Sequence, residues 1–154
     1  MRALRHRSDH GQLSVLILGF VVLAMVLIAG GVDVTAAQLA RIRLVDAVDA
    51  AALDAADALD EEAAYRKGVT DSVVVSTATV SDAAAAYFAG REKPQGVIAW
   101  SLAPGTGSAD GVSAVVVIDA TIELPLTGGL MAALGKTVSV RVEGRAKAPL
   151  LPVP

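Results

Sequence analysis

Few residues in this chain have types and spacing suited to chemistry, so each group can be weighed in turn. His6 and His10 stand four apart in the opening MRALRHRSDH, the spacing that places two ligands of a zinc site on one helix face. Arg7 occupies the position of the general-base glutamate in H-E-x-x-H and no third ligand accompanies the pair, so no metal centre is expected. Asp46, Asp49, Asp54, Asp57 and Asp60 form an acidic stripe. Calcium loops gather alternating ligands around a sharp turn, which a straight helix cannot do, so the stripe is expected to be a solvated or partner-pairing face. Gly129–Thr137, GLMAALGKT, misses the phosphate-loop pattern G-x-x-x-x-G-K-[ST] by one residue and leads into a strand-like run instead of a helix. No nucleotide is expected there, and Leu130, Met131 and Leu134 instead read as an apolar helical cover or contact loop. Both histidines precede the long apolar run, so the remainder of the chain has no Ser-His-Asp set; the sequence predicts neither an enzyme nor a cofactor.

The dominant element is that apolar run, Leu13 to Val32, LSVLILGFVVLAMVLIAGGV, within an uncharged stretch from Gly11. About 20 apolar residues cover the roughly 30 Å hydrocarbon core of a bilayer, whereas a cleaved leader needs only about 7 to 15. The run is therefore expected to be a transmembrane helix in contact with lipid. Arg2, Arg5 and Arg7 against Asp9 make residues 1–12 a basic head, while the chain from Asp33 onward holds ten basic and fifteen acidic residues. The positive-inside rule then puts the N-terminus in the cytoplasm and the rest outside it. That acidic remainder has no basic stripe to neutralise phosphates, which argues against nucleic acid as a partner. Cysteine is absent, so disulfides and thiolate metal sites are excluded.

The anchor is expected to continue as one helix through residues 33–66, since no proline occurs before Pro94 and alanine and leucine recur with helical period. The paired Gly30 and Gly31 mark the expected place for a bend. Leu44, Val48, Ala51, Ala55 and Leu59 fall on one side and form the expected packing face, opposite the aspartates. Leu53 lies within the acidic arc and points to a second contact surface, and the alanines would let another helix or a sheet approach closely.

Residues 67–148 read as a small outer module. Gly68 is a candidate helix end, with Arg66 and Lys67 complementing its dipole. SVVVSTATV (72–80) is β-prone, and Ser81 or Asp82 is expected to cap a short helix ending near Phe88 and closed by Gly90. Val97–Leu102, carrying the only tryptophan, Trp100, is a strand joined through the turn-rich APGTGSADG to a second strand within Val112–Leu124, an expected antiparallel hairpin. Val138, Val140 and Val142 alternate with Ser139, Arg141 and Glu143 in a third strand with one wet face. The fold class is thus α+β: a long N-terminal transmembrane helix extended beyond the membrane, one short helix and about three antiparallel strands. Residues 149–154, PLLPVP in the wider tail, cannot continue a sheet and read as a loose or docking end.

HGQLSVLIL at the start of the run, Asp33 just beyond it, Arg41, and VDAVDAAALDAADAL together resemble the TadE/TadG-like proteins of tight-adherence (Tad, or Flp) pilus systems, especially small actinobacterial members. The most specific piece, DAAALDAA at Asp49–Ala56, is similar to the family's recurrent ADAAALAAA. The resemblance implies a pilin-like, membrane-anchored minor pilin or pseudopilin-like subunit of pilus assembly or related secretion. Its implied partners are membrane lipid, other Tad subunits and homologous helices. Gly11 and Gln12 form the candidate processing site, although Leu16 stands where prepilins of the wider class carry glutamate. The alternative reading is a membrane-tethered extracytoplasmic module that binds an envelope component through the Trp100 strand and the loop of Leu130, Met131 and Leu134.

Overall fold

The computed structural model describes residues 10–67 and 76–147, with side chains described for 12–57 and 76–147. The head up to residue 9, the Gly68 helix end, the β-prone 72–75 and the C-terminal tail lie outside the described residues, as do the side chains of Leu59 and Asp60. Helix α1, His10–Lys67, has 58 residues and spans about 87 Å at 1.5 Å per residue. It runs unbroken through Gly30 and Gly31, where Thr35 Oγ1 donates to the Gly31 carbonyl at 2.8 Å. Every large apolar side chain from Leu13 to Ile28 is exposed, and among the described residues α1 holds the one stretch long and apolar enough to cross a membrane.

Beyond that stretch the same helix becomes the spine of a small α+β module. Helix α2, Thr77–Ala89, is followed by strand β1 (Val97–Leu102), strand β2 (Ser113–Ile122), helix α3 (Gly128–Ala133) and strand β3 (Val138–Lys147). The strands form an antiparallel meander in the order β1-β2-β3, with Trp100 opposite Ala120 and Asp119 opposite Arg141. One face of the sheet packs on α1 and α2: Ala114, Val116, Ile118, Ala120 and Ile122 of β2 meet Leu44, Val48, Ala51 and Ala55 of α1 and Val80, Ala84 and Phe88 of α2. The core side chains are small, which brings the backbones close together. At Gly144, a Cβ would stand 2.9 Å from both the Asp49 nitrogen and the Val48 carbonyl carbon, so β3 crosses α1 where only glycine fits.

Two local expectations are corrected. The cap of α2 is Ser76 rather than Ser81 or Asp82: in an extended conformation (φ −86°, ψ 149°) it accepts the Thr79 amide on its Oγ at 3.2 Å. The β-branched Thr77, Thr79 and Val80 therefore enter a helix, because a cap and a buried Val80/Ala84/Phe88 stripe outweigh their strand propensity. Helix α3 takes the helical one of the two forms expected for Leu130, Met131 and Leu134. Strand β2 is covered on both sides, since Ala103 and the chain that follows it lie over Val115 and Val117. In that cover Gly107 exchanges backbone hydrogen bonds with Val115 (2.8 Å each), and the Val117 amide donates to Thr106 Oγ1 at 3.0 Å. Strand β3 keeps the wet face that its alternation predicts, with Arg141 and Asp119 forming a bidentate ion pair at 2.7 Å on it.

Replacing Gly144 with alanine must push β3 away from α1. Chemical denaturation of the detergent-solubilised chain is expected to show Gly144→Ala less stable by about 1–3 kcal/mol, the usual cost of overpacking a close contact.

Candidate interaction surface

The residue that sets the position of the module on its helix is Asp33, the first charge after the apolar run and only 4% exposed. Its Oδ1 accepts the Leu126 amide at 2.9 Å; its Oδ2 accepts the Thr127 amide at 2.9 Å and the Thr127 hydroxyl. Thr127 is the N-cap residue of α3 and makes no side-chain cap bond of its own, so a carboxylate from α1 satisfies amides at the start of that helix. The Thr127 hydroxyl, with the two amides, holds the Asp33 carboxyl below the usual carboxylate range against the opposing effect of burial.

Alpha-3 ends in a Schellman-type closure. Gly135, at φ +67°, donates to Ala132, and Lys136 donates to Met131, each at 2.9 Å. The Gly-Lys-Thr of the phosphate-loop resemblance is thus a helix C-terminus followed by strand β3, and its amides cap carbonyls instead of wrapping an anion.

The sequence-predicted contact residues separate into three places. Leu44, Val48, Ala51 and Ala55 are fully buried against the chain's own sheet and α2, so a homologous helix would have to use another face of α1. Trp100 is half-buried beside Phe88, with ring centroids 5.0 Å apart, and Phe88 in turn meets Tyr87 edge-on. Leu130 and Leu134 are exposed, and half-buried Met131 lines a groove with Ile98, Thr121 and Val138. Trp100 belongs to the α2 side of β1, so the structure does not join it to Met131 in one pocket. Gln12 is exposed within α1, and Gly11 lies in its first turns. No group of three or more potential metal ligands occurs among the described residues.

The face of α1 turned away from the module carries a different pattern. Val32, Leu39, Ile42 and Leu53 are exposed there, interrupted by Asp46 and Asp57. A shallow groove lined by Ile28, Gly31, Val32, Thr35, Ala36 and Leu39 runs along it, and Gly30 and Gly31 have nothing within 4 Å of a built Cβ. The sequence points to Leu53 as a second surface; its extension to Leu39 and Ile42 emerges only once the module shows which side of the helix is covered. Asp33 belongs to the family-like pattern, but its partner Thr127 lies 94 positions away and leaves no local signal.

An exposed apolar helix that continues as the spine of an α+β module has the form of a single-pass membrane anchor. Residues 11–58, the anchor and most of its continuation, match the family model described as "Putative Flp pilus-assembly TadE/G-like", and this match supports membership of the TadE/TadG-like family. That family is a structural one of pilus assembly. Neither a curated protein nor a solved structure matches the chain significantly.

The depressed pKa of Asp33 gives its contacts a defined pH dependence. A carboxyl whose folded-state pKa lies below its unfolded value of about 3.9 contributes stability above that value and loses it as pH falls through the folded pKa. Protection of the Leu126 and Thr127 amides, taken relative to their intrinsic exchange rates at each pH, is therefore expected to fall on acidification below the usual carboxylate range, and Asp33→Asn should remove that dependence. Tyr87 offers a contrasting test: its hydroxyl is buried with no hydrogen-bond partner among the described residues, so Tyr87→Phe should be neutral or stabilising, within about 1 kcal/mol by denaturation.

Proposed function

We propose that this chain acts in Tad pilus assembly or the related secretion machinery as a membrane-anchored minor pilin or pseudopilin-like subunit. The observation that carries this reading is the continuity of α1, whose first part is wholly exposed apolar surface and whose second part is the core of the module. Force and position pass from bilayer to module without a linker. The family match over residues 11–58 supports the pilus-assembly role, and the basic head supports an N-terminus in the cytoplasm with residues 13–32 spanning the membrane and the module outside.

Homologous helices of other assembly subunits would meet α1 on the face opposite the module. Gly31 and Thr35 allow close approach near the membrane, and Leu39, Ile42 and Leu53 extend the contact outward between aspartates that exclude an all-apolar partner. In gentle detergent the native protein is expected to co-purify with other Tad components, and its deletion should reduce piliation. A monomer whose loss leaves pili and secretion unchanged would overturn the proposal. The mass of the native N-terminus separates two modes of action: a start at Gln12 marks prepilin-type processing, a start at Met1 a static anchor.

A further inference from the structure

We infer that α3 and the turn before it form a second membrane contact, a lipid-seated foot that rests the module on the bilayer surface from which α1 emerges. The inference rests on the membrane-anchoring reading of α1. Its first support is position. Asp33 follows Val32, the last residue of the apolar run, and holds the Leu126 and Thr127 amides at 2.9 Å. Other module contacts lie farther from the anchor: Gly96 abuts Ala40 and Gly144 abuts Asp49, about 10 Å and about 24 Å beyond Asp33 at 1.5 Å per residue. The segment entering α3 is therefore the part of the module level with the end of the anchor.

The second support is chemistry. Leu126, Leu130 and Leu134 are 57%, 66% and 64% exposed, at intervals of four, and among the described residues no core residue covers them. Lys136 is the only charged residue between Glu123 and Arg141, so the segment itself brings one positive charge and no carboxylate to an anionic headgroup layer, and the nearby Glu123 lines the groove between it and the sheet. Leucines at helical spacing beside a lysine suit insertion into the headgroup and acyl boundary, with the ammonium among the phosphates. A groove lined by Met131, Ile98 and Thr121 separates this segment from the sheet, and the exposed Leu126, Leu130 and Leu134 are not part of its lining. Asp33 acts as a positioning residue: it fixes the height of this foot relative to the anchor.

The chain lacks cysteine, which permits single labels on the full-length protein. Leu23→Cys, Leu130→Cys and Leu53→Cys variants would each carry an environment-sensitive fluorophore in proteoliposomes of phosphatidylcholine and phosphatidylglycerol, with nitroxide quenchers placed at the headgroup or deep in the chains. The label at position 23 should be quenched by deep nitroxides and that at 130 by headgroup or shallow ones, several-fold more than at 53, which lies about 30 Å beyond Asp33 along α1. A label at 130 that behaves like the one at 53, or is shielded from water yet untouched by lipid quenchers, overturns the inference while quenching at 23 preserves the anchor. Loss of quenching at 23 overturns the anchoring reading itself. In an Asp33→Asn background, quenching at 130 should fall while that at 23 persists; unchanged quenching at 130 overturns the positioning role of Asp33.

Discussion

The close approach of α1 to the sheet is the constraint on which the rest of the module depends. A helix that presents Ala51, Ala52, Ala55 and Ala56 to a strand with glycine at position 144 leaves little volume between the two backbones. Small side chains supply less apolar area each than leucine or phenylalanine, so the module compensates by burying many of them completely and by covering β2 on both faces. Leu44, Val48, Ile118 and Phe88 add bulk around that thin centre, and Phe88 fills the space that α2 opens beside Trp100. The composition poor in aromatics is thereby reconciled with a packed core.

The same helix serves two environments, and its sequence changes character where they meet. From Val15 to Val32 its side chains are apolar all round, as lipid requires; from Asp33 its surface divides into a covered face and a mixed face of aspartates and isolated large apolar residues. Asp33 stands at that boundary with both carboxylate oxygens engaged. A buried carboxylate is tolerable because charge-assisted bonds from two amides and a hydroxyl replace its water.

Much of this arrangement was legible in the amino-acid order. The α1 pattern, the three strands and the burial of Leu44, Val48, Ala51 and Ala55 follow from periodicity, because each depends on which side of an element a residue occupies. What periodicity does not encode is the partner. The covered face of α1 suits a neighbouring helix as well as a sheet, and the chain's own module takes it. Start signals are similarly ambiguous at α2, where Ser76, Ser81 and Asp82 are all competent caps and only the packing of Val80, Ala84 and Phe88 selects the first. The Asp33 bond to Thr127 and the cover over Val115 and Val117 join residues far apart in the chain or hidden in a turn-rich loop, so neither has a local pattern.

Gly144 and Asp33 acquire a mechanical meaning when taken together. They mark two attachments of the module to one rod, sixteen residues or about 24 Å apart along the axis. Two attachments so separated leave no pivot: a lateral push at the outer end is resisted by tension or compression at the inner one. A pull directed along the rod loads both at once in shear, with the side-chain contacts between them sharing it. The module is thus braced like a bracket on a post.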